Sequence, residues 1–95
     1  MAYQIAKAGG RYAGTLKNYL GRSNAEIQKA LRGCEKQVAL HQQKTANPAQ
    51  FVPDWNQLSA QWQAQLISGW QKDTVRNQEL ADIMRGILIE RGCEP

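Results

Sequence analysis

The stretch Ser23–Thr45, SNAEIQKALRGCEKQVALHQQKT, decides the fold, because it predicts one long amphipathic helix. Ser23 followed three residues later by Glu26 is a capping-box pattern, which marks a helix N-terminus. Apolar and small side chains then recur at helical spacing along one narrow stripe, with Ala30 and His41 at its edge: Ile27, Leu31, Cys34, Val38 and Thr45. Asn47-Pro48 ends the helix, because a residue before proline avoids the helical region. We therefore expect about 22 helical residues, roughly 33 Å long, with the rest of the chain folded against them.

The opposite face of this predicted helix is basic, since it carries Lys29, Arg32 and Lys36. The net charge of the 95-residue chain is +4, and it is unevenly distributed. Residues 1–44 hold eight Lys/Arg against two Glu, a net charge of +6, whereas residues 45–95 hold four against six acids, a net charge of −2. This asymmetry favours a polyanion site in the N-terminal half, although solvated helix faces would give the same pattern.

The length of the chain predicts a single domain spanning residues 1–95. No apolar run approaches the roughly 18 residues that a membrane helix needs. Cys34 and Cys93 have no metal-ligand spacing, and no carboxylate or histidine pair shares a helix face at ligand spacing, so we expect no metal and no cofactor. Because Cys34 lies on the apolar stripe, a reduced core thiol is favoured over a bridge to Cys93.

The remaining segments also read as helices or loops. Residues 1–14 predict a flexible glycine-rich N-terminal loop, followed by one or two helical turns over Thr15–Leu20. After a connection over residues 46–58, Ser59 caps a helix to about Trp70, whose tryptophan-bearing stripe is predicted to be core. Asp73 or Thr74 then begins a last helix that stops at Gly92, with one apolar inner face: Leu80, Ile83, Met84, Ile87 and Leu88.

No segment alternates at period two for long enough to form a strand. The predicted fold class is therefore all-α: a small helical bundle of two long antiparallel helices, a Trp-rich crossing helix and a short N-terminal helical turn.

His41 is the single histidine, and it lies at the border of the core stripe. Its unperturbed pKa suits proton transfer at neutral pH. A histidine with Lys and Arg nearby can cleave a phosphodiester without a metal, because the cations stabilise the charge that develops on phosphate. Lys44 lies three residues away, and Arg76 lies on the apolar face of the last helix, where a cation needs a partner or a purpose. A structural histidine at a core boundary is the alternative.

Gly9-Gly10-Arg11-Tyr12 is the second candidate for chemistry, with Lys17 following in the next helical turn. Glycines let backbone amides approach an anion, and Arg11 and Lys17 would supply charge. The spacing matches neither a Walker loop nor a dinucleotide fingerprint, so a flexible loop remains the alternative.

The chain also resembles a small domain at the C-terminal ends of bacterial polymorphic toxins, the secreted proteins of contact-dependent inhibition and Rhs type. The resemblance covers nearly the whole chain and rests on four segments: GGRYAGTLKNYLGRS, EIQKALRGCEKQVALHQQK, NPAQFVPDW and WQKDTVRNQELADIMRGIL. In that family the loop reads GG-Lys-His, so Arg11 keeps the basic position and Tyr12 replaces a histidine. His41, Trp55 and Trp70 match the pattern.

Such toxin tips are mostly nucleases, often RNases, each paired with a dedicated immunity protein. The resemblance therefore implies a metal-independent ribonuclease that cleaves RNA, tRNA included, in the cytoplasm of a target cell. His41, Tyr12 and Arg11 would be its catalytic residues. Substrate would be held by a further set of positions: Lys17, Lys44, Arg76, Gly9 and Gly10. The cognate immunity protein would be its partner, and the free domain would be a monomer.

Two other functions remain open on the sequence. A non-catalytic helical module that binds a protein partner or nucleic acid would show reversible, salt-dependent RNA binding without cleavage products. An exposed side chain among the three tryptophans would favour that module. A purely structural domain of a larger protein is the third.

Overall fold

A computed structural model describes all residues 1–95 and contains helices without strands. Five α-helices and one 3₁₀ turn follow in order: α1 (Ala2–Lys7), α2 (Ala13–Tyr19), α3 (Asn24–Ala46), α4 (Pro48–Phe51), the 3₁₀ turn (Trp55–Gln57) and α5 (Ala60–Glu90). The two long helices, α3 and α5, pack against each other and form the body of the molecule. The predicted all-α class, a small helical bundle built on two long helices, is confirmed.

Helix α3 begins and ends where its sequence predicts. The Ser23 hydroxyl accepts a hydrogen bond from the Glu26 amide at 3.2 Å, as an N-cap does. The same hydroxyl donates to the Glu26 carboxylate at 3.1 Å. In a capping box this carboxylate would accept from the Ser23 backbone amide, whereas here it accepts from the Ser23 side chain. At the other end Asn47 is the C-cap and Pro48 follows it. Local capping chemistry therefore sets both ends of α3.

Helix α5 is continuous through the break that the sequence predicts near residue 73, so that break is wrong. Ser59 caps the helix by accepting from the Trp62 amide at 3.1 Å, as expected. Thr74, a predicted cap, instead donates its hydroxyl to the Trp70 carbonyl one turn earlier, at 2.9 Å. Such back-bonding lets a cap-forming residue sit inside a helix. The Trp-bearing segment is thus the first part of α5 and not a separate crossing helix.

The C-terminal end of α5 is a Schellman motif, which confirms the predicted stop at Gly92. Gly92 has a φ of 72°, in the left-handed region that glycine adopts without strain. Its amide donates to the Ile89 carbonyl at 3.0 Å, and the Cys93 amide donates to the Leu88 carbonyl at 2.8 Å.

The predicted N-terminal loop over residues 1–14 is wrong, because residues 2–7 form α1 and residues 13–19 form α2. Helix α1 is held by tertiary contacts, with Ala2, Tyr3 and Ala6 all buried. The Tyr3 amide donates to the Asp82 carboxylate of α5 at 3.0 Å, which caps α1 from a neighbouring helix and lowers the pKa of Asp82. Lys7 pairs with Glu90 near the other end of both helices.

The hydrophobic core joins α1, α2, α3 and α5 at one end of the molecule. Its fully buried side chains come from the two long helices: Ile27, Leu31, Ile83, Met84, Ile87 and Leu88. The predicted inner faces are confirmed at these positions, whereas Leu80, Cys34 and Val38 are half-buried. Both cysteines are free thiols, and burial raises the pKa of Cys34.

At the other end of the bundle, packing depends on tryptophan side chains. Trp55 is 8% exposed, and its ring stacks on that of Trp70 with centroids 5.8 Å apart. Trp62 is 51% exposed, so the prediction that the whole tryptophan stripe is core is wrong at its first member. The molecule measures 50 × 25 × 17 Å and is elongated. None of its helices combines the length and the apolar character that crossing a membrane requires.

Candidate functional site

His41 lies at the interface of α3 and α5, with its side chain 13% exposed. Its Nδ1 donates to the Gln37 carbonyl at 2.8 Å, because a carbonyl oxygen can only accept. The second ring nitrogen, Nε2, lies 3.5 Å from the Asp73 carboxylate. With Nδ1 committed to the backbone, Nε2 is the nitrogen that can exchange a proton, and any substrate would have to share it with Asp73.

Asp73 connects His41 to an open groove of about 600 Å³ along α5. The other oxygen of its carboxylate lies 3.2 Å from the Arg76 guanidinium. One turn further along, Glu79 lies 3.5 Å from Arg11, which reaches the groove from the segment before α2. The predicted residues His41, Arg76 and Arg11 are therefore brought to one side of the molecule; we call this feature the Arg11–Arg76 groove.

The charge of the Arg11–Arg76 groove is nearly balanced. Lys72 adds a third cation to its wall, but Asp73 and Glu79 lie among the three cations. Each arginine already has a carboxylate partner, so a phosphate would compete with a partner in place. The groove is a mixed-charge site and only a modest attractor of anions.

Tyr12 is held in place by its neighbour Arg11. The Arg11 guanidinium donates to the Tyr12 hydroxyl at 3.1 Å and lies 4.9 Å from the centre of the ring. The Tyr12 ring is half-buried against the core, and its backbone has a φ of 68°, which is rare outside glycine and asparagine. Tyr12 is the N-cap of α2, and its neighbour Arg11 lies on the wall of the Arg11–Arg76 groove.

Gly9 and Gly10 do not form the predicted phosphate cradle. The Gly9 amide donates to the Ala6 carbonyl at 3.0 Å, and the Gly10 amide donates to the Ile5 carbonyl at 2.9 Å. With a φ of 92° at Gly9, this is a Schellman motif that ends α1. Both amides are committed to carbonyls, so neither is available to bind an anion.

Lys17 and Lys44 lie away from the Arg11–Arg76 groove, which their side chains do not line. Lys17 is exposed on α2, and Lys44 is half-buried near the end of α3. The structure therefore does not bring either lysine to His41 as part of one pocket.

One side of α3 carries four of the cations that make no ion pair in this protein. At 100° per residue, all four fall within a 120° arc opposite the buried Ile27 and Leu31, and we call this surface the basic face: Lys29, Arg32, Lys36 and Lys44. None of the four makes an ion pair. By contrast, other cations are engaged: Lys7, Arg11, Arg76 and Arg85 with carboxylates, and Arg91 with the carbonyls of Leu20 and Arg22.

The sequence shows Lys29, Arg32 and Lys36 on one helix face but gives no reason to prefer them over Arg11 or Arg76. That preference depends on which cations have acidic partners on other helices. The helical period of the sequence does not show these ion pairs, whereas the structure does.

Comparisons with known proteins identified no relative: no family model, no curated protein and no solved structure matches the chain. The similarity to polymorphic toxin domains thus remains a prediction from the sequence.

Proposed function

We propose that this protein is a helical RNA-binding domain that contacts phosphates through the basic face of α3. The observation that carries the proposal is the arrangement of its charges, since the four cations of the basic face have no acidic partner. Lys29 and Lys44 are 15 residues apart, which on a helix corresponds to about 22 Å. The choice of RNA over other polyanions rests on the resemblance to toxin tips that are mostly nucleases.

Unpaired cations are the ones that bind phosphate most favourably. A phosphate at Lys29 or Lys36 displaces only water and mobile ions, whereas at Arg76 it would have to displace the Asp73 carboxylate. Each phosphate that a lysine or arginine neutralises also releases a counterion from the nucleic acid, which makes binding salt-dependent. The basic face therefore offers a phosphate-binding surface without breaking contacts within the protein.

Neutralising Lys29 and Lys36 together, as K29Q/K36Q, should weaken RNA binding by about 30-fold at 0.15 M salt. The slope of log K against log salt should fall by about 1.8, because two phosphate contacts are lost. Fluorescence anisotropy of a labelled RNA, repeated at several salt concentrations, measures both quantities.

The matched control is K17Q/K72Q, which removes the same two charges from exposed, unpaired lysines outside α3. We expect it to retain most of the affinity. If the control weakens binding more than K29Q/K36Q does, RNA binds along the Arg11–Arg76 groove, where Lys72 lies, or near α2, and the basic face is not the site.

A metal-independent ribonuclease of toxin type is the second candidate function. One observation favours it: His41, Asp73 and Arg76 form a continuous chain of contacts that opens into the Arg11–Arg76 groove. In such an enzyme, His41 Nε2 would move the proton and the arginines would stabilise charge on phosphate. Tyr12 would act through Arg11, which its hydroxyl and ring hold in position.

Under this second candidate, total bacterial RNA incubated with the protein in EDTA should give discrete fragments, and His41→Gln should abolish them. Glutamine keeps an amide at the interface of α3 and α5 but cannot transfer a proton. Far-UV circular dichroism of the variant confirms that its helices are intact. If the parent protein does not cleave the RNA, the ribonuclease candidate fails and the RNA-binding proposal remains. If the variant still cleaves RNA, His41 is not the catalytic group.

The resemblance extends this proposal to a biological setting. The domain would be the tip of a secreted bacterial protein, would act in the cytoplasm of a target cell and would be bound by a cognate immunity protein. These points rest on the resemblance and stay predictions.

A further inference from the structure

We propose that the ligand of the basic face is an RNA duplex, contacted through its phosphates, and not an unpaired strand; this rests on the proposed RNA-binding function. Helix α3 carries a row of cations and no aromatic side chain. Three features support the inference: the charge spacing along one helix, the positions of the aromatic rings, and the charge density of the two forms of RNA.

The cations of the basic face all lie on one continuous helix. Helix α3 has 23 residues, so it extends about 34 Å. Along its axis Lys29, Arg32 and Lys36 lie about 4.5 and 6 Å apart, with Lys44 about 12 Å further on. Gly33 lies among the first three and is exposed and short, whereas Leu40 and Gln43 occupy the face between Lys36 and Lys44, so the helix surface is most accessible to a phosphate between Lys29 and Lys36. Cations attached at fixed intervals along one helix suit a ligand whose phosphates are themselves held at fixed positions.

Helix α3 contains no Trp, Tyr or Phe on which an unpaired base could stack. The aromatic rings elsewhere are largely engaged within the protein. Trp55 and Trp70 stack on each other, the Arg22 guanidinium covers the Tyr19 ring at 4.7 Å, and Tyr3 is buried. Trp62 is half-exposed, but it belongs to α5.

Stacking is what normally stabilises a bound single strand. Each base that stacks on an aromatic ring helps to offset the entropy lost when a flexible strand is ordered. The basic face itself carries no aromatic ring, and the one ring that shares a pocket with Lys29, that of Tyr19, is covered by the Arg22 guanidinium, so this surface offers little stacking. A duplex keeps its bases stacked on one another, so it loses little on binding and needs only cations from the protein.

Charge density favours the duplex as well. Double-stranded nucleic acid carries about twice the charge per unit length of one strand, and each phosphate contact releases about 0.9 counterion from a duplex against about 0.7 from a strand. Three or four contacts then favour the duplex by about five-fold at 0.1 M salt. The salt slope for the duplex should lie between about −2.7 and −3.6.

The test compares one labelled RNA strand with the same strand annealed to its complement, in a duplex of about 20 base pairs that is longer than α3. Anisotropy titrations of the full chain at 0.1 M salt should show the duplex bound about five-fold more tightly. K29Q/K36Q should weaken duplex binding by about 60-fold at this salt concentration, because two phosphate contacts are lost.

Each result decides the question. Tighter binding of the unpaired strand, with quenching of tryptophan fluorescence that Trp62→Leu removes, would overturn the duplex proposal and leave RNA binding standing. Equal affinity for both forms would also overturn it. If neither RNA binds, the proposed function fails together with the inference.

Discussion

Replacing Trp55 with alanine should lower the free energy of unfolding by about 3–5 kcal/mol, the usual effect of removing a buried aromatic ring. Trp55 is 8% exposed and stacks on Trp70 at an interplanar angle of 26°. Its backbone carbonyl also accepts a hydrogen bond from the Gln63 side chain at 2.6 Å, which ties the 3₁₀ turn to α5. The ring therefore holds together the end of the molecule that lies away from the core.

Trp62→Ala is the matched control, because it removes the same side chain from a position that is 51% exposed. We expect that variant to lose about 1 kcal/mol or less. Urea unfolding followed by far-UV circular dichroism measures both free energies, and either substitution leaves two tryptophans. Equal losses in the two variants would contradict the structural role assigned to Trp55.

Trp55 lies outside the hydrophobic cluster that joins α1, α2, α3 and α5. Its loss should therefore loosen one end of the bundle before the other. In hydrogen exchange, amides around residues 55–70 should lose protection in Trp55→Ala, whereas those of Ile83 and Leu88 should keep more of it. This second measurement separates a local effect from a general loss of stability.

The helical period predicted those parts of the fold that depend on one helix alone. Burial of Ile27 and Leu31 on α3, and of Ile83 and Ile87 on α5, follows from a stripe that any helix of that sequence would present. The ends of α3 and the stop at Gly92 follow from capping residues within a few positions of one another.

Features that depend on a second helix were missed for a physical reason. A helix of six residues such as α1 is unstable alone. It forms here because the Asp82 carboxylate of α5 accepts a hydrogen bond from its Tyr3 amide and because the Tyr3 ring packs against Gly86. Thr74 is a favourable cap in one setting and a back-bonding side chain inside a helix in another, and only packing decides between them. Short-range patterns cannot contain such contacts.

The candidate site divides in the same way. The position of His41 at the edge of the apolar stripe was predictable, but its contact with Asp73 joins positions far apart in sequence. The same holds for Arg11 and Glu79. The sequence shows how many cations the chain has. Only the structure shows which of them form ion pairs and which are therefore free to bind a ligand.

Replacing Gly86 with alanine should lower the free energy of unfolding by about 2–4 kcal/mol and release α1 from the bundle. A Cβ atom at Gly86 would lie 2.2–2.6 Å from three atoms of the Tyr3 ring, closer than any contact allows. Tyr3 is 6% exposed, and burial together with Glu90 raises its pKa to about 12. The ring must leave its place, and its burial is lost, while alanine returns about 1 kcal/mol of helix propensity.

Gly33→Ala and Gly69→Ala are the controls, since both glycines lie inside long helices and a Cβ at either would meet nothing within 4 Å. These variants should gain about 0.5–1 kcal/mol each, because alanine is the better helix former. The same chemical change is thus expected to have opposite signs at different positions. Thermal or urea unfolding of the three variants checks the signs directly.

The decisive experiment is a double-mutant cycle between Tyr3 and Gly86. In a Tyr3→Ala background the obstructing ring is absent, so Gly86→Ala should no longer destabilise the protein and should instead resemble Gly33→Ala. A persistent loss of 2 kcal/mol or more in that background would place the obstruction elsewhere on α5. Recovery of stability would establish that α1 is anchored by one ring lying against a glycine, a contact that requires both residues and therefore constrains both positions at once.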